Sequence, residues 1–342
     1  ELTAALRDGT RQHTLLWILD QTRTAMGARL LKKWLLAPLL DVDAIARRLD
    51  AVEAFRDDGL LREAARDDLR EVHDLERLLS RAATGAGTPR DLAQLRDSLG
   101  AVPRLFATLA AAAPILRHLV ENADALPDLR ETLTTALVDA PPLSAREGGI
   151  IRPGYHAELD TLRRASTEGK DWIAALEASE RARTGIKSLK VGFNNVFGYY
   201  IEISRSNLDA VPEDYIRKQT LANAERYITP ALKEYEAMVL GAEDKLKELE
   251  FSLFSALRGA VTLEAERLQA LARLVAQLDV LASFAEVAAR NRYARPTVGA
   301  TDRVVITGGR HPVVEQTLAG ERFVPNDAEL DTANNQLLIL TG

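Results

Sequence analysis

Leu232, Tyr235, Val239, Ala242, Leu246, Leu249, Leu253, Ala256 and Ala260 recur at alternating steps of three and four. That is the stripe of a helix packed along a neighbour. Leu159, Leu162, Ala165, Gly169, Trp172 and Leu176 keep similar spacing, which predicts the partner helix. The two run antiparallel because the residues between them join their far ends. A helix of about 27 residues spans roughly 40 Å, so the pair predicts a long arm with a module at its tip. A helix pair inside an ordinary bundle is the alternative, and it would need a short loop where this chain has roughly 50 residues.

Within those residues the period changes from helical to two. Leu189, Val191 and Phe193 alternate with Lys190, Gly192 and Asn194, and Tyr199, Ile201 and Ile203 repeat the alternation after the turn-prone Asn194-Asn195 and Gly198. This predicts a hairpin with one buried face. Pro212 marks a break, and Glu213 to Thr229 reads as a turn plus a short helix offering Arg217, Lys218, Gln219, Thr220 and Asn223. Cations and neutral amide or hydroxyl donors of this kind meet phosphate oxygens without reading bases. Phe193, Phe197, Tyr199 and Tyr200 are more simply the core of a small module than platforms for stacked bases.

The first 130 residues read as a helical body. Met26, Leu30 and Trp34 form one stripe, ended by Pro38. Ile45, Leu49, Val52 and Phe55 form the next, with Asp41 or Asp43 as its cap. Gly85, Gly87 and Pro89 punctuate a loop, and Pro141-Pro142, Gly148-Gly149 and Pro153-Gly154 mark the approach to the arm. After Pro296 the pattern shifts again, with Val304 to Ile306 and Leu337 to Leu340 as candidate strands. The fold class is mainly α: a helical core, long antiparallel helices carrying a small α+β module, and a β-rich last segment.

Composition narrows the function classes. The 342 residues are 46% hydrophobic but only 5% aromatic, and contain no cysteine, which leans to helix and removes disulfides and thiolate metal sites. The longest apolar run, Leu105 to Leu116, contains Pro114 and is too short to span a bilayer. The chain carries a net charge of −6, yet residues 180 to 230 hold eight basic against six acidic side chains. Residues 181 to 190 contain Arg181, Arg183, Lys187 and Lys190 with no acid. Basic groups gathered on one element of an acidic protein suggest a local anionic partner, with phosphate backbone in the lead. Charge alone leaves a merely solvated face equally open.

The runs GFNNVFGYYIEIS and VPEDYIRKQTLANAERYITPALKEYE closely resemble the clamp of the MutS family of DNA mismatch-repair proteins. LLWILDQTRTAMGARLLKKWLLAPLLDVDAIARRLDAV near the start, GGRHPVVE at 308 to 315 and the terminal LLILTG agree in the same order. The resemblance implies core and ascending lever over 1–170, clamp over 171–230, descending lever over 231–298, and over 299–342 the start of a P-loop ATPase domain, cut short before the loop. It implies sequence-independent contacts with double-stranded DNA through Asn194, Asn195, Arg217, Lys218, Gln219 and Asn223. Lys187 and Lys190 are added from charge and position. The parent family is a dimeric ATPase using ATP and Mg, with a cytoplasmic, nucleoid-associated setting and downstream repair factors as partners. Phe323, Val324, Asn326 and Gly342 are the nucleotide-site candidates it implies; for Phe323 a core residue of a surface strand is nearly as good a reading.

No catalytic constellation is expected in this chain, and with the phosphate loop incomplete neither ATP hydrolysis nor a cofactor of its own is expected. The five histidines lie far apart without metal-ligand spacing, and His311 reads as fixing a local hydrogen bond. The acid pairs Asp57-Asp58 and Asp67-Asp68 read as solvated. Phe284-Ala285-Glu286 matches the Phe-x-Glu wedge with which the family probes mismatches, but it lies mid-helix and reads as chance. A helical scaffold whose tip docks a partner protein is the competing class.

Overall fold

The computed structural model describes residues 2–6, 9–194, 196, 198–318 and 323–338. Helices come first: α1 (Leu15–Leu19), α2 (Ala25–Leu36), α3 (Val42–Asp57), α4 (Gly59–Arg70), α5 (Leu75–Ala83), α6 (Pro89–Ala110), α7 (Pro114–Val120), α8 (Pro127–Ala136) and α9 (Ala157–Thr184). Four strands follow, β1 (Lys190–Asn194), β2 (Gly198–Ser204), β3 (Ile216–Thr220) and β4 (Ala224–Ile228), with a 3-10 turn at Arg205–Ala210. The chain continues through α10 (Pro230–Leu263), α11 (Ala265–Asn291), β5 (Val304–Gly309), α12 (Pro312–Thr317) and β6 (Asn326–Leu330). It divides into two compact units, one of Glu1–Gly87, Asp91–Thr132 and Ala260–Gly342, the other of Thr88–Arg90 and Leu133–Gly259.

In the first unit α11 is the central helix, packed against α2, α3, α4 and α5. Asp279 on α11 is fully buried and accepts from the backbone N–H of Arg23 (2.8 Å) and Thr24 (2.7 Å) and from the Thr24 hydroxyl (2.7 Å). Thr24 in turn caps α2 by accepting from Gly27 N–H at 2.9 Å. A Cβ at Gly27 would lie 2.2 Å from an Asp279 carboxylate oxygen, so only glycine lets the helices close here. One turn on, the Ser283 hydroxyl accepts from Gln21 N–H (2.8 Å) and donates to the Leu19 carbonyl (2.9 Å). The orphan groups between α1 and α2 are thus met from inside the core.

The expected stripes and caps are in place, Asp41 capping α3 by accepting from Ala44 N–H at 2.6 Å. The acid pairs are not merely solvated. Asp58 caps α4 through Leu61 N–H (2.9 Å), Asp67 pairs with Arg70 (2.6 Å), and Asp68 faces Arg104 (3.4 Å). Glu286 pairs with Arg62 at 3.0 Å and Phe284 lies against Trp34 at 6.4 Å between centroids, so both ends of that tripeptide are engaged internally. His311 Nδ1 accepts from Val314 N–H at 3.2 Å as the cap of α12.

In the last segment β5 forms as expected but pairs antiparallel with β6. Leu337 and Leu338, expected in a strand, belong to no regular element, and residues 339–342 lie outside the described residues. A strand needs a neighbour for its ladder, and the β5 partner that supplies one is Asn326–Leu330.

In the second unit α9 and α10 are 28 and 34 residues long and run antiparallel. Arg163 meets Glu250, Lys170 meets Glu243, and Trp172 stacks on Tyr235 at 3.7 Å between centroids. The expected stripe holds through Leu232, Val239 and Ala242. Further on, the buried positions are Phe254 and Leu257, one residue beyond the expected Leu253 and Ala256. A helix of 3.6 residues per turn drifts against a 3.5-residue repeat by about 20° per heptad, and over this length the drift moves the stripe by one position.

Asp279→Ala strips three donors of their acceptor inside the core. It should lower the unfolding free energy by about 3 kcal/mol, read from urea unfolding of the purified chain. A change under about 1 kcal/mol would show that water replaces the carboxylate.

Candidate nucleic-acid interface

The four strands form one antiparallel sheet in the order β1-β2-β4-β3. Glu213 to Thr229, expected as a turn and short helix, is instead the β3–β4 hairpin, with a bulge between Arg217 and Gln219. Tyr215, Tyr227 and Ile228 are buried against neighbouring elements, and burial of alternate aromatic and β-branched side chains outweighs the local helix propensity of Arg, Lys and Gln. On the sheet's inner face, Val191, Tyr199, Ile201, Ile203 and Tyr227 pack against Ile173, Leu176, Leu232 and Val239 of the two long helices.

Three helix carboxylates fasten the sheet. Glu177 on α9 accepts from Val191 N–H at 3.0 Å, and Glu236 on α10 accepts from Tyr199 N–H at 2.8 Å. Glu180 accepts from the Tyr215 hydroxyl at 2.6 Å, which, after burial, is a further cause raising that phenol above its usual range. Gly198 has φ +72, and a Cβ there would sit 2.5 Å from a Glu236 oxygen. The hairpin turn therefore needs a residue that is free in the left-handed region and has no side chain. Tyr227 donates to Glu225 at 2.6 Å; burial first, then this bond, pushes its phenol up to about 12.

The register sorts the predicted contact residues onto faces. Lys190 pairs with Glu202, which pairs with Arg226, which pairs with Gln219. This row faces away from the core, and Asn194, four residues from Lys190, shares its side of β1. Arg217 pairs with Tyr227, so it lies on the opposite face at the sheet edge, 3.4 Å from Glu225. Lys218 is exposed at the bulge, and Asn223 is exposed in the β3–β4 turn. Asn195 lies outside the described residues.

The basic run is divided as well. Arg181 pairs with Glu177 (2.7 Å) and donates to the Leu189 carbonyl (2.7 Å), while Arg183 pairs with Glu180 (2.7 Å) and Asp214 (3.1 Å). Both arginines hold the module together. Lys187, Lys190 and Lys218 make no ion pair among the described residues.

Beside them is a network that the sequence reading missed. Ser188 and Ser204 hydroxyls meet at 2.9 Å, Ser204 meets Ser206 at 3.1 Å, and the Asn207 amide donates to Ser188 (2.8 Å) and Ser204 (3.0 Å). Arg205 N–H donates to the Asn223 carbonyl at 3.1 Å, which brings the predicted Asn223 to this same end of the sheet. The visible signal was the polar run Ser204-Arg205-Ser206-Asn207 after the last apolar strand residue. Hydroxyls, an amide and lysine ammoniums at one end of a sheet make a surface suited to phosphate oxygens.

The family model described as MutS domain III matches residues 1–285. The chain belongs to the MutS family. Proteins named DNA mismatch repair protein MutS from Brevibacillus brevis and Desulforamulus reducens are 53% and 51% identical to this MutS-family chain, over all of it and 40% of their own length. The one from Symbiobacterium thermophilum is 50% identical over all of the chain and 39% of its own length. The chain thus spans about 40% of the curated MutS relatives it matches. Among its described residues no helix is long and apolar enough to cross a membrane, and no group of three His, Cys, Asp or Glu could hold a metal ion. Of the residues expected at a nucleotide site, Phe323 is half-buried and Val324 exposed, and the Asn326 amide donates to the Val324 carbonyl at 3.1 Å. Gly342 lies outside the described residues.

Glu236→Ala should release the β1–β2 hairpin without unwinding the helices. Amide exchange at Tyr199 should quicken at least about ten-fold while far-ultraviolet circular dichroism stays unchanged; an unaltered rate would mean the carboxylate bond holds nothing.

Proposed function

We propose that this chain is part of a mismatch-repair protein and that its four-stranded module grips duplex DNA by the phosphate backbone, without regard to sequence. The observation that carries this reading is the group of uncompensated cations, Lys187 and Lys190, beside the Ser188–Ser204–Ser206–Asn207 network on a chain whose net charge is −6. Arg181, Arg183 and Arg226 are neutralised by neighbouring carboxylates, whereas the exposed Arg205 guanidinium donates to the Leu221 carbonyl, so the anion-seeking charge is concentrated at one end of the sheet. In this reading Lys190, Asn194 and Gln219 present one face, Lys187, Lys218 and Asn223 its margins, and Arg217 contributes little.

On the same reading the module is the clamp, and the long helices are levers between it and an ATPase domain. Residues 1–170 and 231–298 then supply core and levers, and residues 299–342 open the ATPase domain. ATP, Mg and the dimer partner belong to the parent protein, and Phe323, Val324, Asn326 and Gly342 would contribute to its nucleotide site.

Fluorescence anisotropy with labelled homoduplex and mismatched duplex tests the grip. Replacing Lys187 and Lys190 together by Ala should weaken both duplexes equally, and should make the slope of log K against log salt shallower by about 2, one unit per lost phosphate contact. Arg217→Ala should change binding less than two-fold. A mismatch preference, or an unchanged slope in the double variant, would sink the reading.

A further inference from the structure

A concave groove of about 940 Å³ opens in the first unit between α2, α5 and α11, with Arg48 of α3 at its wall. Its floor is apolar, formed in part by Leu30 and Leu79, and its walls carry Lys33, Arg48 and Arg273. None of these three cations makes an ion pair among the described residues. Arg29 and Glu76 also line the groove but pair with each other at 2.6 Å, and Arg29 is bound to Asp74 as well. The groove therefore holds three uncompensated positive charges on a chain that is acidic in sum.

Arg48 is the most informative of the three. Its guanidinium lies over the Trp34 ring at 3.4 Å, a cation held on an aromatic face. Burial lowers its proton affinity and no carboxylate offsets that. A partly desolvated cation without a counter-charge gains from an anion brought to it.

We propose that this groove seats an acidic segment of a partner protein, in which carboxylates face Lys33, Arg48 and Arg273 while an aliphatic anchor lies on Leu30 and Leu79. The combination of an apolar floor and charged walls fits an amphipathic segment laid along helices. A nucleotide base finds the Trp34 face already covered by Arg48. A duplex backbone offers phosphates and sugars and would leave the aliphatic floor without a partner. The groove is built wholly from the first unit, so the proposal stands apart from the DNA grip assigned to the four-stranded module.

The test uses the purified chain and a fluorescein-labelled peptide with Glu and Leu at helical spacing, followed by anisotropy, with a peptide carrying Gln in place of every Glu as control. The Glu peptide should bind, and the Gln peptide should bind at least about ten-fold more weakly. Arg48→Gln and Arg273→Gln should each weaken the Glu peptide about five-fold. Lys33→Glu, at an exposed position, repeats the test without disturbing the Trp34 stack, and circular dichroism of all three confirms the fold. Equal binding of the two peptides, indifference to all three substitutions, or displacement of the Glu peptide by duplex DNA or ATP at matched charge would each overturn the assignment.

Discussion

The module depends on carboxylates presented by two long helices to the backbone and phenols of a small sheet. Glu177 and Glu236 accept from Val191 and Tyr199 N–H groups, and Glu180 accepts from Tyr215. A four-stranded sheet with one face on a helix pair has limited apolar area to bury, and hydrogen bonds to charged acceptors fix its position more sharply than non-directional burial does. Because the ties come from both helices, the sheet answers to their alignment as well as to its own ladder. The close approach at Gly169, where a Cβ would sit 2.4 Å from Val239, and the stacked Trp172 and Tyr235 hold that alignment.

The same ties decide which charges remain available. Arg181, Arg183 and Arg226 are each paired with carboxylates of the module, and Arg226 also lies over the Tyr200 ring at 4.1 Å. Exposed pairs of this kind add little stability, but they cancel the field that a phosphate would feel. What is left is the charge of Lys187, Lys190, Arg205 and Lys218. In the first unit the rule runs the same way: Arg29 and Arg62 are paired, while Lys33, Arg48 and Arg273 are not.

The first unit reaches its order by a different route. Asp279 and Ser283 are polar side chains on the otherwise apolar buried face of α11, and they complete the ends of α1 and α2 from the core. Such groups are costly to bury unless satisfied, so each closes on donors or acceptors that have no partner of their own. Nothing in the periodicity of α11 distinguishes them from chance polar residues, since their partners lie more than 250 positions away in the chain.

The long antiparallel helices, the β1–β2 hairpin, the stripes of α2 and α3, a cap at Asp41 or Asp43 and a local hydrogen bond at His311 were all legible in the order of side chains. They rest on periodicity and on donors or acceptors within a few residues, which that order specifies directly. The resemblance carried by the blocks around residues 193 to 236 gave the family. That Glu213 to Thr229 forms strands became visible only in the folded chain, because burial of Tyr215 and Tyr227 against distant helices prevails over a weak local preference. Folding also settled which of the basic residues keep their charge free and that Arg217 turns from the face bearing Lys190. Charge cancellation and sheet register both depend on partners that are remote in the chain, and no local pattern encodes them.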